Sequence, residues 1–198
     1  MNDPLGRGDT LIALARHAIA AQLGIAGYEG AAKETDLNGP EWLQETAATF
    51  VTLTMHGQLR GCIGSLEAYR PLVDDVQANA VAAAFHDPRF SPLSRDEFDD
   101  VRIEVSVLSA MQPVHAPDED IALSNISRGV DGVVFKYGTH QATFLPQVWD
   151  QLPEPRLFMA HLKQKAGLPA GFWHPDVQLY KYQVSKYIEQ GNSKAQKE

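Results

Sequence analysis

The chain of 198 residues has a single cysteine and no long hydrophobic run. One cysteine cannot form an internal disulfide or a multi-cysteine zinc site. No apolar run approaches the roughly 18 residues that a membrane-spanning helix needs. The first residues, MNDPLGRGDT, lack the basic and then apolar pattern of a signal peptide. These absences predict a cytoplasmic protein outside the membrane, where a free thiol stays reduced.

Basic residues are also scarce, with 17 Lys and Arg against 25 Asp and Glu and a net charge of −8. Binding to nucleic acid depends on a basic surface, so nucleic acid is not expected to be the main partner. None of the seven histidines forms a metal-binding pair at helical spacing, and no acidic ligand motif surrounds them. We therefore predict neither a metal site nor a cofactor.

The composition, with 44% apolar and 21% charged residues, is that of an ordinary globular domain. Apolar residues at helical spacing predict helices over residues 10–23, 72–85 and 156–167, and Ser94 with Glu97 predicts a capping box that opens a short helix. Alternating or β-branched residues predict strands at 48–55, 59–64, 101–108 and 177–188, and a second hairpin over 132–145. Because hairpins dominate over crossover units, the predicted class is α+β, with a mainly antiparallel sheet and packed helices.

The single cysteine, Cys62, lies in the glycine-rich stretch GQLRGCIGSLE. In an extended strand, alternate residues share a face, so Arg60, Cys62 and Gly64 are expected to point the same way. The cation of Arg60 would favour thiolate over thiol. Gly64 would leave space beside the sulfur, and with Gly61 it would let a ligand or a second backbone approach. The pattern thus predicts a reactive thiol in an electropositive notch, or, alternatively, a buried cysteine that acts as a small hydrophobic residue.

Three other side chains are candidates for a site. His86 ends the helix that follows the cysteine strand and could move protons, although a helix dipole also explains a histidine there. Glu104 projects opposite the apolar face of strand 101–108, as a base or as ordinary solvated surface. Gln147 follows a strand and precedes Trp149, where it could contact a polar ligand group; we interpret Trp149 itself as structural.

Five motifs occur together in one order, and they resemble the AMMECR-one domain family, whose bacterial and archaeal members are called AmmeMemoRadiSam system protein A. The motifs are LRGCIG (59–64), AFHDPRFSPLSRDEF (84–98), IEVSVLS (103–109), GVDGVVF (129–135) and ATFLPQVWDQLPEPRLFMAHLKQKAGLP (142–169). The resemblance covers residues 9–188 as a single domain with two sub-lobes, and it leaves residues 189–198 as a flexible tail.

The resemblance implies an α+β fold with two unequal lobes around a cleft, and it places the cysteine motif at that cleft. Arg89 matches the second motif and Gln147 the third, and both are carried over as candidate ligand-binding residues together with Gly61 and Gly64. His86 falls where the family pattern is loose. The resemblance also implies an association with Memo-like and radical SAM proteins.

Three functions are compatible with these residues. The first is an enzyme for an unknown small molecule, in which Cys62 is the nucleophile and Glu104 or His86 transfers protons. The second is a non-catalytic binding module, in which Arg60, Arg89, Gln147 and the glycine backbone hold an anionic metabolite or a nucleotide. The third is an adaptor that offers a C-terminal edge strand or aromatic patch to a partner, built from Tyr180, Tyr182, Val184 and Tyr187.

Overall fold

Residues 101–108 alternate apolar and polar side chains, and they form a strand with these bounds. The computed structural model describes residues 6–25 and 40–190. Its α-helices are α1 (Arg7–Leu23), α2 (Leu72–Phe85), α3 (Glu119–Ser124) and α4 (Pro155–Lys165), and its 3-10 helices are Glu41–Leu43 and Pro146–Asp150. Its strands are β1 (Thr46–Met55), β2 (Gln58–Gly64), β3 (Arg70–Pro71), β4 (Val101–Leu108), β5 (Gln112–Val114), β6 (Gly132–Tyr137), β7 (His140–Phe144), β8 (Gln178–Tyr182) and β9 (Val184–Ile188).

These elements form two compact units, Met1–Leu108 with Ser185–Glu198, and Ser109–Val184. The first unit contains a five-stranded sheet in the order β2-β1-β4-β9, with β3 paired to β1. The second contains a four-stranded sheet in the order β5-β8-β6-β7. β1 runs antiparallel to β2, β3 and β4, and β6 runs antiparallel to β7 and β8. The predicted α+β class with mainly antiparallel strands is confirmed.

The core of the first unit lies between one face of its sheet and helices α1 and α2. Val51 and Leu53 of β1 and Ile103 and Val105 of β4 are at most 1% exposed in this cluster. Since side chains alternate along a strand, Thr52 and its cross-strand neighbours project from the opposite face. The candidate site is built on that opposite face.

A buried carboxylate ties α2 to β1 and to the end of β2. Asp75 is fully buried and accepts hydrogen bonds from the backbone N–H and the hydroxyl of Thr49, both at 2.7 Å. Its other oxygen accepts bonds from Ser65 at 3.0 Å and from Arg70 at 2.7 Å. Because each charged or polar group has a partner, the cost of burying Asp75 is offset, and the network fixes α2 against the sheet.

The second unit has a separate core, which β6 and α4 line. Phe135 and Phe158 are fully buried there. Trp149 stacks on Phe158 with ring centroids 3.7 Å apart, and its indole N–H donates to the carbonyl of Asp131 at 2.8 Å. The structural interpretation of Trp149 is therefore confirmed.

Two predicted elements differ from the structure. The single strand expected over 177–188 is two strands, β8 in one sheet and β9 in the other. They separate at Gln183, whose carbonyl accepts the backbone N–H of Ser109 and whose own N–H donates to the hydroxyl of Ser109. The capping box at Ser94 and Glu97 opens no α-helix, because residues 95–100 form turns.

The C-terminal part of the described chain is anchored to α1. Arg16, 8% exposed, donates to both carboxylate oxygens of Glu189 at 2.6 Å. The remaining donors of Arg16 bind the carbonyls of Phe98 and Val101. The sequence predicts a flexible tail that begins at residue 189. Glu189 instead has defined hydrogen-bond partners. Residues 191–198 lie outside the described residues. No helix in the described ranges combines the length and the apolar character needed to cross a membrane.

Candidate functional site

Cys62 lies on β2, which is an edge strand of the five-stranded sheet. It is half-buried and pairs with Thr52 of β1, which in turn pairs with Glu104 of β4. Directly opposite residues project to the same face, so the thiol, the hydroxyl and the carboxylate form one row across three strands. The hydroxyl of Thr52 donates a hydrogen bond to the sulfur of Cys62 at 3.3 Å.

A bulge in β2 separates Arg60 from this row. Leu59 pairs with Thr54 and Gly61 pairs with Leu53, so Arg60 is the extra residue between them. The bulge breaks the alternation that predicted a shared face for Arg60 and Cys62, and that prediction is wrong. The side chain of Arg60 is 9% exposed and is bound elsewhere.

The guanidinium of Arg60 binds Glu97 and the chain after α2. It donates to both carboxylate oxygens of Glu97, at 2.9 and 3.1 Å, and to the carbonyl of Ser91 at 3.0 Å. The hydrogen bonds from Arg60 and from the backbone of Ser94 lower the pKa of Glu97 to about 2. Arg60 therefore joins β2 to the 91–97 segment, which is a structural role.

The cation next to the cysteine is Arg89. The buried carboxylate of Asp87 accepts the backbone N–H of Cys62 at 2.9 Å, and Arg89 donates to the carbonyl of Cys62 at 3.4 Å. Arg89 also binds both oxygens of Asp87, at 2.9 and 2.6 Å. These bonds keep the pKa of Asp87 well below its usual value despite burial. Asp87 and Arg89 thus bind the backbone N–H and carbonyl of Cys62, which an edge strand would otherwise leave without a strand partner.

The pKa of Arg89 is raised, first by its hydrogen bond to Asp87 and then by the negative charge of Asp87. Arg89 is nevertheless more than half exposed, at 54% of its side chain. The ring of Phe90 lies 5.4 Å from the guanidinium of Arg89 and 6.0 Å from that of Arg60. The DPRF motif and the LRGCIG motif therefore form one unit of structure, and Arg89 has room to contact a ligand.

Neither glycine of the cysteine motif leaves an open notch. A Cβ added at Gly61 would lie 2.1 Å from the carbonyl oxygen of Ala83 in α2, so Gly61 lets the strand approach the helix. A Cβ at Gly64 would lie 2.3 Å from the ring of Phe50. The expected space beside the sulfur at Gly64 is filled by that ring, and the prediction of an empty hollow there is wrong.

Glu104 stands at the other end of the row from Cys62. Its side chain is 26% exposed and lies 3.6 Å from the ammonium of Lys186 on β9. The hydroxyl of Ser106 donates to it at 3.4 Å. The face opposite the core thus presents, in order, a thiol, a hydroxyl, a carboxylate and an amine.

His86 and Gln147, the two other candidates, lie on other elements than Cys62. His86 caps α2, is exposed, and lines a surface depression with Ala18, Arg70 and Val81. Cys62 does not line that depression, and no hydrogen bond joins His86 to Cys62 among the described residues, so the structure gives no support for His86 as a base at Cys62. Gln147 belongs to the second unit, where it is exposed in the 3-10 helix that follows β7.

The aromatic patch expected at the C-terminus is partly internal. Tyr182 is 1% exposed, and its hydroxyl lies 3.2 Å from that of Thr143. Burial raises the pKa of Tyr182. Tyr187 packs against the core of the first unit. Tyr182 is therefore unavailable to a partner, which removes the centre of the patch.

Sequence reasoning missed Thr52 and the structural role of Asp87. Thr52 was only one residue of a β-branched strand, and its pairing with Cys62 depends on hairpin register. Asp87 could have been found from its position in DPRF, because a buried acid two residues before an arginine favours an ion pair. Among the described residues, no group of three or more His, Cys, Asp or Glu side chains is placed to hold a metal.

Known proteins resemble this chain along nearly its whole length. A family model described as AMMECR1 matches residues 12–187. A protein of Methanothermobacter thermautotrophicus is 37% identical over 196 residues, 95% of this chain and 98% of that protein. One of Sulfurisphaera tokodaii is 39% identical over 193 residues, 92% of this chain and 81% of that protein.

A solved structure has the same fold. The crystal structure of uncharacterized protein PH0010 from Pyrococcus horikoshii matches with a TM-score of 0.77 and 32% sequence identity, over 92% of this chain and 91% of that one. Both the sequence motifs and the arrangement of helices and antiparallel strands therefore agree with one assignment. The chain belongs to the AMMECR1 family.

Proposed function

We propose that this domain is an enzyme that attacks a small acyl compound with the sulfur of Cys62. The observation that carries the proposal is the hydrogen bond from Thr52 to that sulfur, on a strand whose backbone at Cys62 is held by Asp87 and Arg89. A hydrogen bond to a thiolate favours the charged, nucleophilic form. Cys62 is also only half-buried, which leaves a path for a substrate.

In the proposed reaction, the sulfur forms a bond to the acyl carbon and the leaving group departs, which leaves a thioester on Cys62. The thiolate that attacks has lost its proton to solvent, and the leaving group takes a proton from solvent as it departs. Water then attacks the thioester, releases the acid and restores the thiol, so the net reaction is hydrolysis. Arg89, rather than Arg60, orients a negatively charged part of the substrate.

The test is the rate at which iodoacetamide alkylates Cys62 at pH 7. The chain has one cysteine, so the gain in mass reports on this residue alone. We expect alkylation about tenfold faster than that of glutathione, because the thiolate is the reacting form and the hydrogen bond from Thr52 favours it. Thr52→Val should lower the rate about fivefold through loss of the hydrogen bond.

Thr54→Val is the matched control. Thr54 lies on the same face of β1 but pairs with Leu59 rather than with Cys62. Its substitution should leave the rate unchanged. Alkylation of the wild-type protein no faster than that of glutathione contradicts the proposal, and equal losses in the two variants contradict the role of Thr52.

A second candidate is a non-covalent binding module for an anionic metabolite or nucleotide. The exposed guanidinium of Arg89 favours it. A thermal-shift titration with ATP and with inorganic phosphate separates the two functions. The binding module is supported if the ligand still binds Cys62→Ser, no longer binds Arg89→Gln, and the thiol of the wild-type protein reacts slowly.

We also propose the partners that the family resemblance implies, Memo-like and radical SAM proteins. Co-expression of the tagged chain with one protein of each type, followed by affinity purification, tests this association. A stoichiometric complex supports it. Recovery of the tagged chain alone in both cases contradicts it.

A further inference from the structure

Phe50 is an aromatic residue on the same sheet face as Cys62. It lies two residues before Thr52 on β1 and pairs with Gly64 on one side and with Ser106 on the other. The core of the first unit is built on the other face of β1. Packing in that core therefore does not account for an aromatic ring at Phe50.

The ring of Phe50 lies directly against the backbone of Gly64. Two of its carbon atoms would be 2.3 Å from a Cβ at Gly64, a distance that no real side chain allows. Gly64 is two residues from Cys62 on one strand, so the two positions are roughly 7 Å apart on the same face. The ring is half-buried and forms an apolar surface beside the thiol.

We infer that Phe50 selects planar, conjugated or aromatic acyl compounds, which stack on its ring while their reactive carbon reaches the sulfur of Cys62. This inference rests on the proposed function, because it names the substrate class of the same site. Aromatic rings attract one another in offset or edge-to-face arrangements in addition to the apolar area they bury.

The experiment compares two maleimides that differ only in an aryl or an alkyl substituent. With N-phenylmaleimide or N-ethylmaleimide, the sulfur of Cys62 adds to one alkene carbon and the other carbon takes a proton from solvent. The rate of Cys62 labelling by the phenyl compound is divided by the rate with the ethyl compound. This ratio is then divided by the same ratio measured with glutathione, which corrects for the intrinsic difference in reactivity between the two reagents. We expect a corrected preference for the phenyl compound of about fivefold in the wild-type protein and of about one in Phe50→Leu.

Tyr69→Leu is the matched control, because Tyr69 is an exposed aromatic residue of the same unit, at 66% exposure. It should keep the wild-type preference. Gly64→Ala gives a second route to the same result, since the added Cβ forces the Phe50 ring to move. It should also lose the preference.

The outcomes separate this inference from the proposed function. If Cys62 of the wild-type protein is alkylated fast but the corrected ratio is one, the role of Phe50 is overturned. The proposal that Cys62 is a nucleophile is then unaffected. Slow alkylation with a phenyl preference that depends on Phe50 contradicts the activated thiol and supports the stacking surface. Absence of labelling by both reagents overturns both.

Discussion

The carboxylate of Asp87 accepts the backbone N–H of Cys62 at 2.9 Å, although 25 residues separate the two in the sequence. Arg89 completes the arrangement by binding both Asp87 and the carbonyl of Cys62. The DPRF motif therefore acts on the backbone of the cysteine motif rather than on its side chain. Any chemistry at the sulfur depends on a strand that these two side chains hold in place.

Asp87→Asn should destabilise the protein by about 2 kcal/mol, because it removes a buried charge from a pair and weakens the bonds to Arg89. Urea unfolding followed by circular dichroism measures the change. Asp96→Asn is the control, since Asp96 is exposed, and it should change stability by less than about 0.5 kcal/mol. Equal effects of the two substitutions would show that the pair contributes nothing.

Gly61→Ala should cost about 3 kcal/mol, because the new Cβ would lie 2.1 Å from the carbonyl oxygen of Ala83 and the helix backbone cannot yield locally. Thermal unfolding of the purified variant provides the measurement. Gly171→Ala is the comparison, as a Cβ there meets nothing within 4 Å. A Gly61→Ala protein as stable as Gly171→Ala contradicts the close approach of β2 to α2.

The Arg60–Glu97 pair predicts a specific loss of stability in acid. The pKa of Glu97 is lowered from 4.5 to about 2 in the folded protein. The stabilisation is therefore complete above about pH 4.5 and disappears as the pH falls toward 2. Because Glu97 is partly exposed, we expect about 1–2 kcal/mol.

The measurement for this pair is the difference in unfolding free energy between the wild type and Glu97→Gln, taken at several pH values. The difference should be constant from pH 5 to 7 and shrink between pH 4.5 and the lowest pH at which both proteins fold. A difference that stays constant in acid contradicts the pairing.

Glu189→Gln should destabilise the first unit by about 2–3 kcal/mol, because the buried guanidinium of Arg16 loses its charged partner. Hydrogen exchange should then show faster exchange in β9. Glu45→Gln is the control, since the Glu45 residue is exposed. Slow exchange of β9 in the Glu189→Gln protein would show that the ion pair does not anchor this strand.

Local signals predicted several elements well. Helix α2 has the predicted bounds 72–85 because Pro71 suits its start and the residue before Pro88 cannot continue it. The strand at 101–108 also has the predicted bounds, because its alternation is unbroken. Such features depend on neighbours in the sequence, which one chain is enough to reveal.

The candidate site was harder to predict because its contacts are between distant residues. The bulge at Arg60 arises from the register of β2 on β1, and strict alternation along one strand cannot show it. The space at Gly64 is filled by Phe50, 14 residues earlier, and the cation beside Cys62 comes from Arg89, 27 residues later. Composition identified the right residue types, but pairing decided which of them meet.

The bonds of Asp87 and Arg89 to Cys62 also affect how copies of this protein behave toward one another. β2 is an edge strand, and a free edge is a template on which a strand from another molecule can add. With the N–H and the carbonyl of Cys62 already occupied, such an addition is blocked at the middle of the strand. Substitution of Asp87 should therefore increase aggregation of the native protein in addition to lowering its stability.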